Sequence, residues 1–121
     1  MVQIEVYYEE EVLLDANVAD STFSKMKGLM FKTLDKDECL LMVFDEMKKW
    51  EIWMLLVPQN LGLIFLDDEK RIVDKVIAEK VTLNPKTWRT YKPNKECKYI
   101  VECNPDILDN VELDKRMKWD W

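Results

Sequence analysis

Leu61-Gly62-Leu63-Ile64-Phe65-Leu66-Asp67-Asp68-Glu69-Lys70-Arg71-Ile72-Val73-Asp74-Lys75-Val76-Ile77 is the stretch that decides the fold. An apolar run of strand length, Leu61 to Leu66, meets the polar turn Asp67 to Lys70. The chain then returns through Ile72-Val73 and Val76-Ile77, which predicts an antiparallel hairpin. A segment this rich in β-branched and aromatic residues, closed by a short acidic turn, is too short and too interrupted for a helix.

The same reading extends outward on both sides. Val2, Ile4, Val6 and Tyr8 alternate with polar neighbours, which predicts a strand with one buried face. Glu9-Glu10-Glu11 reads as a turn, and Val12, Leu14, Ala16 and Val18 resume the alternation in a second strand. Ser21 is placed to cap a short helix, with Phe23, Met26 and Met30 on one face and Gly28 marking its end. Cys39 to Phe44 is an apolar run of strand length, set off by the polar break Asp45 to Lys49. Trp50 to Val57 is expected to be a strand with Trp50, Ile52 and Met54 on one face, and Val81 and Leu83 to extend the sheet. Asn84 to Lys98 reads as a long loop, Tyr99 to Cys103 as a strand, Pro105 as the start of a helical turn, and Val111 to Trp119 as a closing strand.

Many short strands and few helices predict a mainly β (β-rich α+β) fold. The expected form is an antiparallel β-sandwich or barrel with one or two short helices, residues 1–121 forming a single domain. With 121 residues, 48% hydrophobic and 35% charged, the chain is long enough for one real core and not for two. Gly28 and Gly62 are the only glycines, so a glycine-rich dinucleotide or phosphate loop has no place in it.

Composition also removes chemistries. There is no histidine, which excludes histidine-activated nucleophiles, histidine metal sites and imidazole bases. Lys+Arg is 18 against Asp+Glu 24, a net charge of −6, and the first twenty residues carry all of the excess in Glu5, Glu9, Glu10, Glu11, Asp15 and Asp20. Such a chain repels a phosphate backbone overall, so duplex nucleic acid is not an expected partner. Cys39, Cys97 and Cys103 are an odd number with no Cys-x-x-Cys, which fits a reducing compartment better than a disulfide frame. Neither a basic signal region nor a membrane-length apolar run is present, and a cytoplasmic location is expected. Two glycines and two glutamines beside many lysines and glutamates lean towards a thermophilic source.

Several blocks then occur in a telling order: Val18-Ala19-Asp20, Gly28-Leu29-Met30, Leu40 to Phe44, Trp53-Met54, Leu61 to Asp67, Tyr91-x-Pro93 and Tyr99-Ile100-Val101-Glu102. In order and spacing the chain resembles domain-of-unknown-function family 192, a family of small β-rich domains of bacteria and archaea, from about Val12 to Trp119. The resemblance implies a β-sandwich-like fold with a helix before Gly28, and no established activity. Members typically carry Asn-Thr and then Pro-Leu-Asp after the Trp-Met pair. Here Leu56-Val57 and Asn60-Leu61-Gly62 stand at those positions, so the amide, hydroxyl and carboxylate are missing, and the resemblance carries over a scaffold and not a site.

The most distinctive surface segment is the loop Asn84 to Lys98. Lys86, Arg89, Lys92, Lys95 and Lys98 against Glu96 give it a local charge of +4, with Trp88 and Tyr91 interleaved. Rings beside cations suit an anionic ligand with a flat face, and Trp88, Arg89, Tyr91 and Lys92 are the candidate ligand-binding residues. The plain alternative is that Trp88 and Tyr91 pin the loop to the sheet. Trp119 and Trp121, with Met117, form either a clamp on the last strand or a self-association patch at a sheet edge. For acid–base work, Glu51, Asp74 and Glu102 sit where they face inward or outward by strand register alone. Cys97 and Cys103 lack the partners of a zinc site, and Cys39 reads as a small core residue.

No cofactor and no metal is expected. The leading reading is a non-enzymatic binding module, monomeric or homodimeric, that presents residues 84–98 to a small anionic ligand or a protein partner, with no membrane role. The alternatives are a carboxylate-based hydrolase or isomerase on a sugar-like substrate, which needs two buried carboxyls on one pocket, and an interaction protein dimerising through its C-terminal edge strand.

Overall fold

The computed structural model describes residues 2–120, apart from the side chains of Phe23 and Met26. Its strands are β1 (Gln3–Tyr8), β2 (Glu11–Ala19), β3 (Glu38–Lys48), β4 (Ile52–Trp53), β5 (Leu61–Leu66), β6 (Ile72–Ala78), β7 (Thr90–Tyr91), β8 (Cys97–Cys103) and β9 (Met117–Lys118). One helix, α1 (Thr22–Lys27), and two 3-10 turns, Pro85–Thr87 and Pro105–Asn110, complete the described elements. Seven strands form one curled sheet, a half-barrel, in the order β6-β5-β8-β3-β2-β1-β9, while β4 and β7 pair separately. The fold is mainly β, as its alternation predicts.

Local chemistry explains the local elements. The Leu61–Ile77 hairpin forms as β5 and β6. Its turn is held by the Asp67 carboxylate, which accepts from the N–H groups of Glu69 and Arg71, each at 2.9 Å. Helix α1 starts in a capping box: the Ser24 N–H donates to Ser21 Oγ at 3.0 Å and the Ser21 N–H to Ser24 Oγ at 3.2 Å. It ends at Gly28, whose φ of 48° and ψ of −125° suit only glycine. Glu9 and Glu10 turn with φ of 50° and 69°, the hand that matches strand twist in a tight hairpin.

Four expectations of extent are corrected. The polar stretch after Phe44 does not end its strand, because β3 runs on to Lys48. Trp50 to Val57 is extended only at Ile52–Trp53, and Leu56 leaves the extended region with φ 63°. The C-terminal segment forms a strand only at Met117–Lys118, with an isolated bridge from Arg116 to Arg71, because a turn at residues 113–114, with Asp114 at φ 71°, interrupts its first part. Val81 and Leu83 add no strand, and the Leu83 side chain is 95% exposed. The sheet is also not wholly antiparallel: β2 and β3 run parallel, joined by the crossover that carries α1.

Alternate residues of each strand feed two cores. On one face Cys39, Leu41, Ile64, Leu66, Val101 and Cys103 pack with Met117 and Trp119. On the other, Leu40, Met42, Leu61, Leu63, Phe65 and Ile100 pack with Ile52, Met54 and Tyr91. β8 pairs along both edges with β5 and β3, and the two cores cover its two faces, so Glu102 is buried there.

Candidate functional site

The basic loop is tied down at several points. Tyr91 is 4% exposed and its phenol oxygen accepts from the Glu79 N–H at 3.0 Å. Pro93 and Cys97 are buried, and Asp74 accepts from the Asn94 N–H at 2.9 Å. Trp88 is exposed, but its indole N–H donates to the Thr82 carbonyl at 2.6 Å. Arg89 lies over the Tyr91 ring, 4.7 Å from its centroid. Lys92 is 4.0 Å from the Glu51 carboxylate, and Thr90 donates to the same group at 2.8 Å. Among the four candidate ligand residues, then, Tyr91 is a core side chain, Trp88 and Arg89 sit on the outer surface, and Lys92 faces Glu51.

Trp119 is buried, packed edge-on against Tyr99 at 5.1 Å with Lys70 4.3 Å above its ring. Trp119 thus packs in the same core cluster as Met117. Trp121 lies outside the described residues. The three thiols are buried, and burial pushes Cys97 to about 11, Cys103 to about 12 and Cys39 well above the ordinary range. They are neutral at physiological pH, and no group of three His, Cys, Asp or Glu stands ready for a metal among the described residues.

Of the carboxylates read as ambiguous, Asp74 is spent on the loop and Glu51 is half exposed. Glu102 is the exception. It is 3% exposed, and its Oε1 has no hydrogen-bond partner among the described residues. Burial alone pushes its carboxyl up to about 7. Leaving such an oxygen unpaired costs roughly 1–3 kcal/mol, so it marks a place where the fold is not optimised for stability.

Glu102 opens onto a cavity of about 300 Å³ between α1, β3 and β4. Leu29, Met42, Phe44, Ile52 and Val57 form apolar walls, and Lys27, Glu51 and Trp53 stand at the exposed mouth. Glu102 Oε1 lies 3.6 Å from where a side chain on Gly28 would begin, and Met42 Cε lies 3.5 Å from the same point. The helix end therefore lies within ordinary van der Waals reach of both groups, and what requires glycine at position 28 is its backbone conformation rather than space.

Lys25 does not neutralise Glu102. Its ammonium donates to the Val43 carbonyl at 2.8 Å and rests 4.6 Å from the Phe44 ring centroid, and Phe44 is itself stacked on Trp50 at 4.4 Å. Next in sequence to the lining residues Met30 and Val57, Phe31 (φ 61°) and Leu56 (φ 63°) adopt left-handed backbone and are joined by a 2.8 Å bond from the Phe31 N–H to the Leu56 carbonyl. Such conformations cost about 1–3 kcal/mol each and gather at functional sites.

The polar row that relatives carry after Trp-Met does not form one site here. Val57 lines the cavity, Leu56 points to solvent, and Gly62 faces Leu108 on the other side of the sheet. The signal for Glu102 was present in the sequence as the single carboxylate inside Tyr99-Ile100-Val101-Glu102-Cys103, but nothing local shows that its face holds a void. A larger opening of about 1010 Å³ runs past Glu5, Asp15, Asp35, Asp37 and Glu38. None of those side chains is buried, so it is a solvated acidic trough.

The model of family DUF192, described as Uncharacterized ACR, COG1430, matches residues 5–121. A UPF0127 protein of Pyrococcus furiosus is 26% identical over 112 residues, covering 91% of this chain and 90% of its own. Two solved structures share the fold. One, from Novosphingobium aromaticivorans and of unknown function, superposes with a TM-score of 0.79 at 18% identity, covering 98% of this chain and 84% of that one. The other, from Sinorhizobium meliloti and labelled a proposed transcription regulator, gives 0.78 at 16% identity, covering 97% and 92%. At these identities the two structures speak to the fold alone.

Proposed function

We propose, from the premise that the chain belongs to the DUF192 family, that it is a non-enzymatic binding module whose ligand sits in the Glu102 cavity. One observation carries this reading: a buried carboxyl oxygen without a hydrogen-bond partner among the described residues, in a cavity with apolar walls. Concave, mostly apolar sites with one or a few convergent polar groups are what small ligands bind. The basic loop has a supporting part, since Thr90 and Lys92 hold Glu51 at the cavity mouth and β7 pairs with β4. Carboxylate catalysis asks for two buried carboxyls on one pocket; this cavity has Glu102 buried and Glu51 half exposed.

Indole, a compact apolar molecule with one N–H donor, is a suitable probe. Titrated into ¹⁵N-labelled protein, it is expected to shift the amide signals of Gly28, Met42, Ile52 and Glu102. A Val57→Phe variant that keeps its circular dichroism spectrum is expected to lose those shifts. Shifts confined to residues 84–98, or none at millimolar indole, would overturn the reading.

A further inference from the structure

The two ends of the cavity differ in what they lack. At the floor, Glu102 offers an acceptor that no described residue meets. At the mouth, Glu51 is already engaged by Thr90 and Lys92, whereas the exposed Lys27 has no ion pair or hydrogen bond among the described residues. Lys25, the other cation on the lining, is held by the Val43 carbonyl and the Phe44 ring. The unmet groups are thus a carboxyl inside and an ammonium outside, with apolar walls between them.

Resting on the reading of this cavity as the ligand site, we propose that its ligand is a short apolar molecule with a protonated amine at its inner end and an anionic group at its outer end. An inner ammonium gives the Glu102 carboxylate the charge-assisted partner that the protein withholds, in a place shielded from water where such a bond is strong. A ligand with its anion innermost would set negative charge against Glu102 and leave Lys27 unmatched. A ligand without an anionic group would leave Lys27 unmatched and carry its own positive charge past it. The walls set the body: about 300 Å³ lined by Leu29, Met42, Phe44, Ile52 and Val57 holds a chain of several carbons or one ring.

Three probes of equal chain length separate the possibilities: 6-aminohexanoate, hexylamine and hexanoate, each titrated at pH 7 by the same amide shifts used for indole. The expected order is 6-aminohexanoate tightest, hexylamine next and hexanoate weakest, with about tenfold or more between first and last, the scale of one charge-assisted hydrogen bond. In a Glu102→Gln variant that keeps its circular dichroism spectrum, 6-aminohexanoate is expected to fall to the level of hexanoate, because the neutral amide no longer supplies a charge-assisted partner to the ammonium. Lys27→Ala is expected to erase the advantage of 6-aminohexanoate over hexylamine. Indole binding without discrimination among the three, or with hexanoate tightest, would overturn this polarity and leave the cavity reading standing. If indole also fails to bind, both fall together.

Discussion

Glu102 and Cys103 are neighbours on β8 and face opposite sides of the sheet. Both are buried, and burial raises both, the thiol to about 12 and the carboxyl to about 7. Their surroundings differ. The Cys103 thiol donates to the Gly62 carbonyl at 3.5 Å within a core closed by Ile107, Leu108 and Trp119. Glu102 looks into a cavity, and its Oε1 meets no described partner. The contrast teaches that burial of a titratable group is not by itself a sign of function. A neutral thiol in a filled core costs little, whereas an unpaired carboxyl beside empty space is a standing cost that a ligand can remove.

The largest expected effect tests whether the two faces are packed differently. Ile64 is fully buried on the closed face, so Ile64→Ala is expected to cost about 2–5 kcal/mol, read from the urea midpoint. A cost under about 1 kcal/mol would mean that this face is also loosely filled.

The next effect separates the two faces by pH. Because the folded Glu102 carboxyl titrates near 7 against an ordinary 4.5, the native state binds more protons than the unfolded chain between those values. Stability on this account is therefore highest below about pH 4.5, falls as pH rises through the window, and levels off above about 7, by on the order of 3 kcal/mol. Subtracting the curve of Glu102→Gln from that of the natural protein between pH 4.5 and 8 isolates this slope. A flat difference would show that Glu102 is solvated or paired. Cys103→Ala is expected to leave the pH dependence in that range unchanged.

The smallest effect is expected at the cavity wall. Val57→Ala removes methyl groups that border open space, so little new void is created, and a loss of about 1 kcal/mol or less is anticipated in the same urea assay. A loss as large as that of Ile64→Ala would erase the distinction between a filled face and a cavity.

These differences were only partly legible beforehand. The Leu61–Ile77 hairpin, the Ser21 cap and the Gly28 stop are local signals, set by side-chain alternation and by backbone groups that a neighbouring residue can satisfy. Glu102 could be picked out as the lone carboxylate in an apolar strand, but alternation assigns it a side without revealing what lies there. The loop 84–98 stood out because charge and rings stand together in sequence; Tyr91 is buried and accepts from the Glu79 N–H, as the pinning alternative has it, but which segment it meets is not encoded in any spacing.

The amino-acid sequence by itself determined a mainly β chain, its strongest hairpin, its capped helix, and the absence of any histidine chemistry, because these depend on residue types and short-range periodicity. The tertiary structure alone decided the parallel β2–β3 pair, the burial of Trp119 and Tyr91, and the cavity that Glu102 faces. The reason is physical: a void and an unpaired oxygen are properties of what several distant segments leave unfilled between them, and α1, β3, β4 and β8 meet there only after the sheet has curled.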